Sequence, residues 1–314
     1  MAITAFRDMK PFPQLLFSAF IILVSFLIFL VLSVLLALPF FGLESILNMA
    51  SMTDLSDPTS LAVLKYFQTV QSVGMFILPP LILAYLFQGS VSRYLYLNRS
   101  FPSSTFLLVV LLMFVMSPVI NFLGEWNANM SLPSWMSGLE EWMRRSEDQA
   151  TEITEAFLNV KTFPGLAFNL FMVAFLPAVG EELLFRGVIQ KIFTRMTKSA
   201  HFGIWISAIL FSAMHMQFYG FVPRVLLGAL FGYLLVWSGS MWLPIIGHFL
   251  NNSIAVIGMF MINQGWISDK VEEYGSTENS YYAAILSLLV VVFLLWQIKK
   301  QNVGNEIIAK EITN

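Results

Sequence analysis

The chain contains no cysteine. That excludes disulfides, thiolate catalysis and Cys-ligated zinc, and it leaves the redox compartment unmarked. Charge is scarce as well. Charged residues make up 11% of the 314 positions, against about 25% in a soluble domain. Hydrophobic residues make up 57%, and mean hydropathy is +0.74. A chain so apolar is a polytopic membrane protein rather than a water-soluble globule. The net charge of −2 offers no basic field for nucleic acid. Histidine is rare too, with only His201, His215 and His248.

What fills the chain is apolar runs. About eight reach spanning length, near 15–43, 66–88, 104–124, 166–190, 203–219, 221–238, 241–262 and 281–298. The expected fold class is therefore an all-α bundle of about eight transmembrane helices. The first run follows Arg7 and Lys10 as a signal peptide would. It is far longer than a signal h-region and lacks an A-x-A site, so it reads as a span. Loop charges set the orientation. Arg7, Lys10, Arg93, Arg99, Lys191, Arg195, Lys198, Lys299 and Lys300 all fall on one side if the spans alternate. Glu44, Asp54, Asp57, the loop from Glu125 to Lys161, Asp269, Glu272, Glu273 and Glu278 fall on the other. The positive-inside rule then places both termini in the cytoplasm, as for an inner-membrane protein. Three regions follow: residues 1–165 with three spans and the acidic outer loop, residues 166–262 with the polar groups, and residues 263–314 with the last span and a polar tail. Within the outer loop, Leu139, Trp142, Met143, Ile153, Phe157 and Val160 recur at helical spacing. They predict an amphipathic helix on the outer surface or a cap packed on the bundle.

Ionisable residues inside spans cost roughly 2.5–3.5 kcal/mol each at a helix centre and are functional candidates by default. "AVGEELLFRGVIQ" holds Glu181, Glu182 and Arg186. Glu182 and Arg186 are four apart and share a helix face, so they can neutralise one another. Glu181 is turned about 100° from Glu182. It is the spare carboxylate, suited to act as a general base. "FSAMH" places Phe211 and His215 one turn apart, and "HFLNN" does the same for His248 and Asn252. His201 sits in a basic inner loop and reads as solvated. Counting about 1.5 Å per residue puts Glu181 and His248 within about 10 Å of the inner hydrocarbon edge and His215 at roughly 18 Å. A pocket open to the cytoplasm would unite them. Pro177 and the flanking Gly180 and Gly187 suggest a widened helix with close neighbours.

In this order on successive apolar helices, E-E-x-x-x-R, F-x-x-x-H and H-x-x-x-N resemble the CPBP family. This family groups type II CAAX prenyl endopeptidases with bacteriocin-processing and self-immunity (Abi) proteins. The resemblance spans roughly residues 166–262. It implies an eight-helix intramembrane endopeptidase with a cytoplasm-facing conical cavity. It further implies that Glu181 activates water with help from His215, and that His248 and Asn252 hold the oxyanion. Glu182 and Arg186, with Phe211, would be structural support. The partner would be a membrane-embedded or lipidated peptide. No cofactor is required in this scheme. Zinc held by Glu181, His215 and His248 is the alternative, although H-E-x-x-H is absent. Two other readings remain: a proton- or solute-coupled transporter with Pro-interrupted helices, and a non-catalytic scaffold or immunity protein. "GALFG" (Gly228 to Gly232) is a G-x-x-x-G pattern that fits close packing within the monomer or between protomers. Arg224 is expected to snorkel to the outer interface.

Overall fold

A computed structural model describes residues 6–51, 55–271 and 273–302. Asp54, Glu272 and the tail from residue 303 onward lie outside the described residues. The described chain is all α. Its helices are α1 (Pro11–Ser51), α2 (Pro58–Gln88), α3 (Ser103–Val115), α4 (Ser117–Ala128), α5 (Ser137–Leu158), α6 (Phe163–Thr197), α7 (Ala200–Met214), α8 (Phe221–Ser238), α9 (Trp242–Asn263) and α10 (Tyr281–Gln301).

Six of these are long and apolar enough to cross a membrane, and the pair α3 and α4, bent by 45°, is either a broken span or a re-entrant loop. The bend falls where Pro118 opens α4. The fifth expected span is shorter than its apolar run. α7 ends at Met214, and Met216 takes a left-handed φ of 54° before the turn Phe218–Gly220. At about 1.5 Å per residue it reaches only about 22 Å, short of the about 30 Å hydrocarbon core. α8 is the most central span, with 56% of its apolar window buried, whereas α1 has 17%. The exposed rows Phe12, Leu16, Phe20, Leu23 and Leu27 on α1, and Ile285, Leu289 and Trp296 on α10, are lipid-facing surface.

Two apolar layers flank the middle of the bundle. Near the basic end, Leu83, Leu95, Leu183, Val188, Ile192, Met241 and Ile245 pack together. Beside α10, Val109, Leu112, Met113, Leu234, Leu243 and Leu294 do so. Three π-turns interrupt the spans. Val73–Ile77 in α2 precedes Pro79 and Pro80, and Leu170–Phe175 in α6 precedes Pro177. A proline lacks the N–H that would close the preceding turn, and a widened turn accommodates the loss. The third, Phe185–Ile189, contains Arg186.

Glycines set the closest approaches. A Cβ on Gly180 would lie 2.7 Å from Phe76, and one on Gly187 would lie 2.6 Å from Leu95. The G-x-x-x-G pair packs within the monomer. A Cβ on Gly228 would meet Ala208 and Arg186, and one on Gly232 would meet Gln190 and Ile204.

Candidate active site

α6 places Glu181 and Glu182 on the short α-helical stretch Leu176–Leu184, between two π-turns. Arg186 lies one turn on. Its Nη1 is 3.0 Å from Glu182 Oε1, its Nη2 donates to the Gly228 carbonyl at 3.0 Å, and both residues are inaccessible to solvent. The guanidinium also lies over the rings of Phe211 and Phe231, at 4.7 and 5.5 Å from their centroids. Gly228 allows this reach because it has no side chain between α8 and Arg186.

The same Glu182 oxygen has a second partner. His248 Nδ1 lies 2.8 Å from Glu182 Oε1. A carboxylate can only accept, so Nδ1 carries the proton and the ring is fixed in one orientation. His248 also stacks on Phe231, with centroids 5.1 Å apart and planes 14° apart. Its other nitrogen, Nε2, is 3.8 Å from Glu181 Oε2. The spare carboxylate of the sequence reading therefore faces His248, and His248 is tied to the structural pair. No spacing rule reveals this link, because it joins residues on separate helices.

His215 caps the end of α7, with Nδ1 2.8 Å from the Phe211 carbonyl. A carbonyl accepts only, so in the neutral ring Nε2 is left as an acceptor. Phe211 touches both histidines edge-on, at 4.9 Å to His215 and 6.0 Å to His248. Asn252 donates through Nδ2 to the Val173 carbonyl at 3.1 Å, and its Oδ1 accepts from Asn251. Val173 is four residues before Pro177, which has no N–H to offer it. Asn252 thus satisfies a carbonyl in the widened turn and keeps a second N–H. His201 is exposed, as expected, but not in a loop. It lies in the first turn of α7 with Nδ1 2.9 Å from the Tyr233 hydroxyl.

Glu181, His215, His248 and Asn252 line one cavity of about 610 Å3. Its far wall is α5, through Ile153, Phe157 and Leu158. α5 is fastened there as a cap. Its last carbonyls accept from Lys65, Asn169 and Asn263, on three different spans. Glu147 accepts from the Tyr219 backbone, and Trp142 packs on Phe218. Toward the basic end the cavity stops at the buried layer of Arg186 and Phe231. The cavity therefore lies toward the end of the bundle that carries the acidic loop from Glu125 to Lys161. The sequence reading expected it toward the opposite end, where the basic loops lie. Residue counting put His215 roughly 18 Å from the inner edge, near mid-membrane, whereas it lies at the C-terminal end of α7 under α5. Arg224 is corrected likewise. It lines the cavity with both terminal nitrogens on Gln217, at 2.9 and 3.1 Å, instead of snorkelling away.

Among the described residues no three His, Cys, Asp or Glu side chains are grouped closely enough to hold a metal ion.

Residues 163–254 match the family model described as type II CAAX prenyl endopeptidase Rce1-like. That segment contains all three motifs on which the family resemblance rested. YpbD, an uncharacterized protein of Bacillus subtilis, is 26% identical over 106 residues, 32% of this chain and 49% of that protein. The chain thus matches about half the length of this curated relative. No solved structure matches.

Proposed function

We propose that this multi-pass membrane protein is an intramembrane endopeptidase that hydrolyses a peptide bond with water activated by Glu181. One observation carries the reading. The polar side chains of three separate motifs, on α6, α7 and α9, line a single intramembrane cavity. The match of residues 163–254 to a CAAX-type endopeptidase family supports the same class of chemistry.

In this reading Glu181 takes a proton from water, and the water oxygen attacks the scissile carbonyl. The acceptor nitrogen of His215 holds the water's second hydrogen. The oxyanion of the tetrahedral intermediate faces His248 Nε2 and the remaining N–H of Asn252. His248 donates there when the ring carries both protons. Donors fixed in advance toward a developing oxyanion are often worth about 3–4 kcal/mol of barrier. Collapse expels the amine, which takes the proton held by Glu181. Glu182 and Arg186 touch no reacting atom and act by orienting His248. No step passes through a metal.

The substrate class is a membrane-embedded or lipidated peptide. Both termini are taken as cytoplasmic from the loop charges, so the scissile segment enters from the extracytoplasmic half. The test uses purified protein beside Glu181→Ala, each incubated with quenched peptides, including lipidated ones, with and without chelator. Cleavage by the parent alone, insensitive to chelator, is the expected result. Cleavage lost on chelation and restored by zinc would overturn the metal-free step. Peptide cleavage retained by Glu181→Ala would overturn the assignment of the base.

A further inference from the structure

We infer that α5 is a gate over the candidate active site. It is hinged at its C-terminal end and latched to the turn after His215, and its opening sets the length of substrate that the site admits. The substrate part of this inference rests on the endopeptidase reading, whereas the hinge and latch rest on geometry. α5 lies outside the family-matched segment 163–254. It lines the cavity through Ala150, Ile153, Thr154, Phe157 and Leu158. A cavity of about 610 Å3 suits a compact ligand. An endopeptidase substrate continues on both sides of the scissile bond, so a long chain must leave such a cavity at two points. α5 covers the acidic end and stands in that path.

The two halves of α5 are fastened differently. At the C-terminal end, the Phe157 carbonyl accepts from Lys65 at 3.0 Å and from Asn169 at 2.8 Å, and the Leu158 carbonyl accepts from Asn263 at 2.9 Å. The donors sit on three spans, α2, α6 and α9, and Phe157 and Leu158 are buried. Three contacts hold the N-terminal half, and all of them go to the turn Phe218–Gly220. Glu147 Oε2 accepts from the Tyr219 N–H at 2.9 Å, Arg144 lies over the Tyr219 ring at 4.5 Å, and Trp142 packs on Phe218 with centroids 5.2 Å apart. Arg144 and Trp142 are exposed. Contacts made in water open at low cost, whereas buried carbonyls that lose their donors stay desolvated without a partner.

The latch lies next to the chemistry. His215 ends α7, and Met216 holds its left-handed φ before the turn. A residue other than glycine keeps that conformation where its surroundings fix it. Gly220 begins α8 without a side chain to cap it. The caps come from other helices. Asn127 on α4 accepts from the Val222 N–H at 2.7 Å and donates to the Phe218 carbonyl at 3.2 Å. Glu147 places a carboxylate at the same helix start, where the dipole favours it. Releasing Glu147 loosens the turn that holds His215 while Asn127 still anchors it. Gate opening and the placing of His215 are thus coupled through one turn.

The test uses the purified full-length protein, in which an introduced cysteine pair supplies the only thiols. Hydrogen exchange is followed in the parent, in Glu147→Ala, and in the double variant Trp142→Cys, Phe218→Cys, both reduced and joined by a short bismaleimide. Residues 141–150 are expected to be less protected than 155–158 in the parent. In Glu147→Ala they should exchange about tenfold faster, and in the joined protein they should be slowest. Equal protection along α5, or no response to Glu147→Ala, would overturn the hinge and latch. Cleavage is then read on a short quenched peptide and on the same sequence within a long polypeptide. Joining should lower kcat/KM on the long substrate by about tenfold or more and spare the short one. A tether that lowers both alike, or neither, would overturn the length selection. If no form cuts either substrate, the endopeptidase reading falls and the length selection with it, while the exchange result decides the hinge and latch by itself.

Discussion

Replacing Arg186 by Leu removes a cation that makes four contacts in a dry interior. The ion pair to Glu182 and the hydrogen bond to the Gly228 carbonyl are both 3.0 Å long, and two aromatic faces complete the shell. The partner left behind, Glu182, has no exposed surface and keeps only His248. Breaking such a pair from one side costs about 3–5 kcal/mol, because a buried charge loses its compensation. The double variant Glu182→Leu, Arg186→Leu removes both charges. It leaves His248 Nδ1 without an acceptor, a deficit of about 1–3 kcal/mol. The double variant should therefore be more stable than Arg186→Leu, with a coupling of about 2 kcal/mol or more. Unfolding in mixed micelles, followed by tryptophan fluorescence, measures Arg186→Leu, Glu182→Leu and the double variant against the parent. Cleavage should stay lost in the double variant although it folds, since His248 is no longer oriented. If the two single losses simply add, or if Arg186→Leu costs less than about 1 kcal/mol, the pair is not the brace described here.

Glu181→Ala should abolish cleavage while stability changes by less than about 1 kcal/mol, read as kcat beside Tm. Asn252→Ala should destabilise by about 1–3 kcal/mol by stranding the Val173 carbonyl. In a Pro177→Ala background, where a backbone N–H becomes available four residues on, that cost should fall, while any catalytic loss should not. Gly232→Ala places a methyl 2.7 Å from Gln190 and 2.9 Å from Ile204, and a lower Tm corresponding to about 1–3 kcal/mol is expected. On α5, the Glu140 carboxyl is held below its ordinary range, first by the hydrogen bond from Arg144 and then by the Leu132 N–H. Its contribution is full above the unfolded value near about 4.3 and is lost as pH falls through the lower folded value. Hydrogen exchange in α5 should accelerate over that acidic window in the parent but not in Glu140→Gln.

The sequence announces spans well because apolar runs of spanning length have few other uses. It also separates the two glutamates, since spacing of four against five residues is a matter of helix phase. The contact between His248 and Glu182 is another kind of fact. It depends on α9 crossing α6 at one height, and local periodicity is silent on crossings. The π-turns were legible only through the prolines after them. The turn at Phe185–Ile189 has no proline to betray it. α5 showed its apolar stripe, yet the surface that stripe covers became visible only with the bundle. The end of the bundle toward which the cavity lies was misread for the same reason.

The π-turns have a consequence for chain length. Such a turn accommodates about one residue beyond an ordinary helical turn, and each residue rotates an α-helix by about 100°. The facing of Glu181 relative to the start of α6 is thus set by residue number rather than by side-chain type. Deleting one residue within Leu170–Phe175 would leave every motif intact in spelling. It would swing the segment before Glu181 by about a quarter turn and carry Asn169 away from the α5 carbonyl it holds. Insertions and deletions in α6 are therefore expected to be tolerated least where the helix looks most ordinary in sequence.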